Sequence, residues 1–388
     1  MSAPVHDAVI IGGGPIGCAA AIALSEAGRD VVVLEANNDE RRAPDSRTLA
    51  LSWNSHLIMQ RLGTWPQGLP ATAINTIHVS HRGHFGRAVL HASDLKLPSL
   101  GYVVRFSDTF DALRKETQRR GIDFRHGFRV SALHTDSSAP EVCASTAQGD
   151  KSVRARLVVV ADGGATLAKD RAQSVRQYDY RQVALVGLVR PDRPHRNCAY
   201  ERFTASGPIA LLPCEQEFAF VWTCNPQHGE ELLSLRDAEF LSRFRDAFGD
   251  RAGRFTSTRL RSSFPLVLRV VRPRAQTGVV LLGNASQTLH PIAGQGFNLG
   301  LRDAWDLAEI IRDTPDETLG NLAMTSRFGK QRRADRLGGV RFTHSLARLF
   351  SNDFPPLVVG RGIGLAMLDT CPPLKRELMR RMIFGSSN

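Results

Sequence analysis

The chain has little of what several protein classes require. Its six cysteines, Cys18, Cys143, Cys198, Cys214, Cys224 and Cys371, are scattered, with no close C-x-x-C pair. That excludes a disulfide framework and a cysteine zinc site and fits a reducing compartment, so no metal is expected. Long apolar runs are also missing. The longest late one, from Leu357 to Leu368, is interrupted by Arg361 and is too short to span a bilayer. The first run, Ala8 to Ile11, leads into a glycine loop without the small-residue cleavage pattern of a secretory signal. The expected location is therefore cytoplasmic, with peripheral contact to the inner membrane left open. No Ser-His-Asp or paired-carboxylate constellation stands out, and no nucleic-acid recognition module appears. The four tryptophans, Trp53, Trp65, Trp222 and Trp305, lie far apart and form no paired-tryptophan motif.

Acidic residues are the scarcer charge: 38 Asp and Glu against 50 Lys and Arg, a formal net charge of +12 over 388 residues. Such a field favours anionic partners, a nucleotide or an acidic membrane surface, or serves only solubility. The length suits two closely packed domains.

Three strand-to-glycine junctions carry the chemistry. In the first, Ala8-Val9-Ile10-Ile11 runs into Gly12-Gly13-Gly14-Pro15-Ile16-Gly17, a helix-forming stretch follows to Ala27, and Val31-Val32-Val33-Leu34 closes on Glu35 and Ala36. This order is the dinucleotide-binding βαβ unit. Gly12 allows the tight turn, Gly14 leaves room for a pyrophosphate, and Gly17 lets helix and strand approach. The helix N-terminus directs free N–H groups at the phosphates. Glu35 suits two ribose hydroxyls and repels a 2′-phosphate. By itself the unit is equally consistent with FAD and NAD.

The second junction is Leu157-Val158-Val159-Val160 followed by Ala161-Asp162-Gly163-Gly164. The unbroken apolar run reads as a buried parallel strand. The third, Val279-Val280-Leu281-Leu282-Gly283-Asn284, passes through Thr288-Leu289-His290-Pro291-Ile292-Ala293 to Gly294-Gln295-Gly296-Phe297-Asn298 and a helix beginning near Phe297. Its glycines let backbone approach a flat ligand, and its helix N-terminus can face an electron-rich edge. An NAD dehydrogenase has no use for this loop.

Taken in this order, the three segments resemble the class A flavoprotein monooxygenases of the p-hydroxybenzoate hydroxylase fold. Within that class the wording is similar to the ubiquinone-biosynthesis hydroxylases, and to their 2-octaprenyl-6-methoxyphenol branch. Further matching stretches are Asp45-Ser46-Arg47-Thr48-Leu49-Ala50-Leu51, His78-Val79-Ser80 with Gly83 and Gly86, Leu100-Gly101-Tyr102-Val103-Val104, and Pro373-Leu374-Lys375-Arg376. The resemblance implies an α/β fold in which a Rossmann-type FAD domain (1–75, 104–172, 271–340) interleaves with a mostly antiparallel substrate domain (76–103, 173–270), before a helical segment (341–388). It implies that FAD is held by Gly12, Gly14, Pro15, Ile16, Gly17, Glu35 and Ala36, approached by Arg47 and Arg105, and contacted by the Val130 backbone. Asp162 and Gly163 would serve both FAD and a transient NADPH or NADH. Asn284 would meet the ribityl chain, and Pro291, Gly294, Gln295, Gly296, Phe297 and Asn298 would line the isoalloxazine. Asn284 departs from the Asp usual in the class, which predicts looser FAD. The implied reaction is hydroxylation of a polyprenyl phenol by O₂ through a flavin C4a-hydroperoxide, with the flavin carrying the chemistry and no catalytic side chain assigned. Hydroxylation of a small soluble phenol and reduction of a prenyl tail remain as alternatives.

In the middle of the chain, Gly207 to Pro213 and Phe218 to Trp222 read as a hairpin, with Phe203, Leu211 and Trp222 either packed in its core, the reading favoured for each singly, or forming walls of a prenyl channel. At the end, Leu374, Leu378, Met382 and Ile383 share one helical face amid Lys375, Arg376, Arg380 and Arg381. That pattern predicts a basic amphipathic helix that packs its apolar face on the FAD domain, or that serves a membrane surface or a partner in a ubiquinone-biosynthesis assembly.

Overall fold

The computed structural model describes residues 4–38, 47–65, 68–135, 139–164, 174–204, 206–272, 276–289, 294–350 and 355–385. Asp45, Ser46 and the run from His290 to Ala293, which includes Pro291, lie outside them.

The valine- and isoleucine-rich runs become buried parallel strands. Val5–Ile11 lies between Val31–Glu35 and Gly149–Val160, and Val279–Leu281 joins the far side of the last. Because Val158, Val159 and Val160 are fully buried, the strand has no solvent face and needs no alternation. Asp123–His126 extends one edge in parallel, while Glu141–Thr146 and Arg129–His134 add antiparallel strands. Register aligns Ile11 with Leu34 and with Val160, and Val160 with Leu281. Four strands therefore end at one level, and all three glycine junctions leave the sheet side by side. Open α/β sheets bind ligands at such an edge.

The helix Pro15–Glu26 is buried on almost every side because it is enclosed by the sheet and by the helices Phe106–Arg119 and Gln295–Arg312. Its close approach is set by Gly17: a Cβ there would lie 1.9 Å from the Gly12 carbonyl oxygen.

A second sheet of eight strands is antiparallel except where Cys198–Thr204 runs parallel to Thr76–His81. The expected hairpin forms between Gly207–Cys214 and Glu217–Cys224. Two 18-residue strands, Ser174–Pro191 and Phe255–Arg272, carry register shifts with Arg181 (φ 52°) and Leu260 (φ 58°) in left-handed backbone. Such bulges bend a sheet. Period-2 alternation then sorts the side chains. Leu211 and Trp222 face a core made with Phe240, Phe244 and Phe248 of the helix Asp237–Phe248, while Ala210, Leu212, Val221 and Phe203 face a cavity. Of the three candidate channel residues, only Phe203 reaches it.

Three long helices, Leu322–Phe350, Pro355–Thr370 and Pro372–Phe384, end the described chain. The last packs its apolar face inward, one of the outcomes its sequence left open. Met379 and Ile383 are buried against Ile74, Leu90 and Val103, and Leu378 and Met382 line the cavity. Only Leu374, 48% exposed, stays outside. Sequence spacing defined the apolar stripe correctly but could not say that the sheet covers it. Among the described residues no helix is long and apolar enough to cross a membrane.

Candidate functional site: a dinucleotide cradle opening into an apolar cavity

A cavity of about 1070 Å³ begins at the level edge of the parallel strands and continues beneath the eight-stranded sheet. At the first end lie Gly12, Gly14, Pro15, Ile16, Glu35, Ala36, Arg47, Val130, Asp162, Gly163, Asn284, Gly294, Gly296 and Phe297. The separate sequence segments thus meet around one space.

Local geometry explains the residue types. Gly12 has φ +102°, and a Cβ on it would strike the Asp162 backbone at 2.7 Å. By contrast, a Cβ on Gly14, Gly163 or Gly296 would meet nothing within 4 Å. Those three glycines border ligand space, which fits a pyrophosphate and a flat ring passing over bare backbone. Glu35 is buried and accepts hydrogen bonds from the N–H of Gly13 (2.7 Å), the N–H of Asn37 (3.1 Å) and the Asn37 side-chain amide (2.8 Å). It braces the glycine turn as well as facing the cavity. Gly13, not singled out by the motif, has no room for a side chain: a Cβ would meet the Phe124 ring at 2.3 Å. The Asp162 carboxylate accepts from the Gly164 N–H at 2.8 Å, closing the turn after its strand.

The third junction enters its helix two residues earlier than the sequence suggested. Gly294 (φ 58°) turns the chain directly into Gln295–Arg312. Gln295 is buried and does not line the cavity, and neither does Asn298. The Asn298 Oδ1 accepts from the Ser52 N–H (2.9 Å) and the Ser55 hydroxyl (2.7 Å), while its Nδ2 donates to the carbonyls of Ala50 (2.9 Å) and Gly294 (2.8 Å). It ties the loop to the strand Thr48–Ser52. The Arg47 guanidinium stacks 5.0 Å from the Phe106 ring and 5.4 Å from Phe264, at the junction of cradle and second sheet. Arg105 does not line the cavity; it is half-exposed and paired with Glu215.

Beneath the third junction is a buried ion cluster. Arg332 donates to Asp303, Asp306 and Asp335, each at 2.7 Å, and Arg302 donates to Asp335 at 2.9 Å. Asp303 also accepts from the Gly283 N–H at 3.1 Å, so the cluster fixes the turn that presents Asn284. No local motif announces this set, because its members come from two helices. Among the described residues no His, Cys, Asp and Glu grouping could hold a metal.

Glycine turns on aligned parallel strands, roofed by an antiparallel sheet, define the FAD-binding monooxygenase fold. The chain belongs to the FAD binding domain family, whose model it matches over residues 6–323, and it is an FAD-dependent aromatic-ring monooxygenase of the class A flavoprotein type with NAD(P)H as the family's typical co-substrate. It is 32% identical over 386 residues to the ubiquinone hydroxylase UbiL of Rhodospirillum rubrum, covering 97% of this chain and 89% of the relative. It is 28% identical over 388 residues to the 3-demethoxyubiquinol 3-hydroxylase of Escherichia coli, covering 96% and 97% respectively. In fold it is similar to the p-nitrophenol 4-monooxygenase PnpA of Pseudomonas putida DLL-E4, with a TM-score of 0.78 at 17% identity and 97% of each chain covered.

Proposed function

We propose that this enzyme hydroxylates the aromatic ring of a polyprenyl phenol in ubiquinone biosynthesis, consuming NAD(P)H and O₂. The observation that carries the reading is the cavity's second end. Beyond the cradle its walls are almost wholly apolar, from Ile77, Leu188 and Leu212 of the sheet to Phe342, Leu365 and Met382 of the terminal helices. A site for a small soluble phenol has no need of so extensive an apolar lining, whereas each buried CH₂ of a prenyl tail contributes about 0.8 kcal/mol. The names of the two curated relatives support the same substrate class. The test is mass spectrometry of quinone intermediates in cells lacking the protein. A prenyl phenol lacking one ring hydroxyl should accumulate, and an unchanged quinone pool would overturn the reading.

In this reading Gly12, Gly14, Pro15 and Ile16 take the pyrophosphate at the helix N-terminus, Gly17 lets that helix pack, and Glu35 with Ala36 takes the ribose. Val130 borders the adenine side, Arg47 approaches the cofactor, and Asp162 with Gly163 meets it from the second junction. Gly294, Gly296 and Phe297 flank the ring system, and Gln295 and Asn298 shape that loop from behind. Bound FAD, once reduced, supplies the hydroxyl group from O₂. The chain's task is to hold the ring against the cofactor and exclude water, which the apolar walls do.

Asn284, exposed at the cradle, is the natural position for tuning affinity. A charged acceptor is worth about 1 kcal/mol more than a neutral one, so Asn284→Asp is expected to tighten FAD about fivefold. Flavin titration checks this, and unchanged or weaker affinity assigns Asn284 another role.

A polyprenyl substrate also needs a route from lipid. The helix Pro355–Thr370 exposes Val359 (50%), Ile363 (49%) and Met367 (57%) on one side, while its Leu365 and Leu368 line the cavity. Its one cation, Arg361, is buried. We assign membrane contact to this helix, with the exposed Arg376 and Arg380 of the next one as its basic complement. Full-length protein should float with anionic phosphatidylglycerol vesicles. Ile363→Glu combined with Met367→Glu should abolish flotation while leaving FAD content intact. Flotation unaffected by these changes removes the helix from the interface.

A further inference from the structure

Among the described residues, Glu201 occupies the one cavity position of the eight-stranded sheet where a charge stands. It lies on Cys198–Thr204, paired with Val79 of one neighbouring strand and Ala210 of the other. Ala199 and Phe203, two residues either way, face the same space, while the Tyr200 ring packs against His78 and Phe248. The cavity residues of the terminal helices are also uncharged. The other two acids lining the space, Glu35 and Asp162, belong to the cradle. The Glu201 carboxyl makes no hydrogen bond or ion pair with any described residue, and burial is the sole influence on it, pushing its pKa up to about 7.

Such a placement is costly. A carboxyl that is part-covered by an apolar wall and has no partner gives up solvation without replacement, and an aliphatic side chain would suit this wall better. A partnerless acid kept on an apolar wall is therefore matched to something that enters the cavity. Its environment holds it near neutrality, where a carboxylate is most effective as a general base.

We propose that Glu201 is a catalytic residue that receives the ring hydroxyl of the phenol. This rests on the phenol-substrate reading above. The carboxylate accepts a hydrogen bond from the phenol O–H and then takes the proton. The phenol O–H bond breaks, a carboxyl O–H bond forms, and the electron pair stays on the phenolate oxygen. That oxygen donates into the ring and makes its ortho and para carbons more nucleophilic toward the incoming hydroxyl. The proton returns to the product or to solvent after turnover. Tyr200, whose own pKa burial pushes up to about 12, does not compete for the proton at neutral pH.

The test uses the full-length FAD-loaded enzyme with a farnesylated methoxyphenol. Glu201→Gln should lower kcat about 10²-fold, the scale of a lost general base, with KM changed little and flavin content unchanged. Wild-type kcat/KM should fall as pH drops below about 7, where Glu201 becomes protonated, and Glu201→Gln should lose that acid limb. Glu201→Asp should recover part of kcat. Glu201→Leu should be inactive yet unfold at a higher temperature than wild type, the reverse of what a structural carboxylate would give. A Glu201→Gln enzyme within twofold of wild type, an unchanged pH profile, or a destabilised Glu201→Leu protein overturns the proposal alone. A wild-type enzyme that hydroxylates no phenol overturns the substrate reading and the proposal with it.

Discussion

Gly14→Val protein is expected to fold normally and to purify without flavin. A Cβ at Gly14 meets no protein atom within 4 Å, so the fold tolerates a side chain there. Its branched side chain would then stand where the pyrophosphate must lie, against the N-terminus of Pro15–Glu26. Overpacking of this kind costs about 1–3 kcal/mol, and lost phosphate hydrogen bonds add to it, so affinity for FAD should fall ~10²-fold or more. Gly17→Ala is the contrasting case. Its Cβ would collide with the Gly12 carbonyl at 1.9 Å, so this variant should lose stability first and flavin as a consequence. Flavin absorbance together with thermal unfolding separates the two. Gly14→Val protein that retains full flavin absorbance would remove Gly14 from the cofactor site.

Arg332→Leu should be strongly destabilising. The cluster balances three arginines, Arg302, Arg332 and Arg336, against three aspartates, Asp303, Asp306 and Asp335. Arg332 is 1% exposed and Asp303 is fully buried. Removing one guanidinium leaves an uncompensated buried negative charge, which costs about 3–5 kcal/mol. The midpoint of urea unfolding should fall accordingly, and FAD should loosen because Asp303 holds the Gly283 N–H. Asp303→Asn in the same chain should restore part of the loss, since it removes the surplus charge and still leaves an acceptor for Gly283. An unfolding free energy within about 1 kcal/mol of wild type would mean that water reaches the cluster and screens it.

Within this cluster Asp335 sets an acid limb in stability. Burial pushes the Asp335 carboxyl up, but Arg302 and Arg332 outweigh it and hold the pKa below the ordinary aspartate value. A depressed carboxylate contributes stability that is fully present above the unfolded value, about 3.9, and is lost as pH falls through the folded one.

How the chain makes this site divides between local and tertiary causes. The three glycine junctions are legible in sequence because they depend on neighbours in the chain: β-branched runs form buried strands, and glycine is needed where backbone must turn left-handed or meet a ligand. Those constraints are enough to define the family, the fold class and FAD. They do not say which side of a strand meets the cavity, since a shift of one residue exchanges the faces. Thus Leu211 and Trp222 went to the core and Ala210 and Val221 to the cavity. Nor do they say what covers an apolar stripe. The helix Pro372–Phe384 turned inward, and the outward apolar side fell to Pro355–Thr370. Asn298 reads as a ring contact in its motif, yet partners some 240 residues distant, Ser52 and Ser55, make it a brace. Glu201 and the Arg332 cluster left no local signal at all. The meaning of a charge depends on whether other segments surround it with apolar walls or with opposite charges, and only the folded chain brings those segments together.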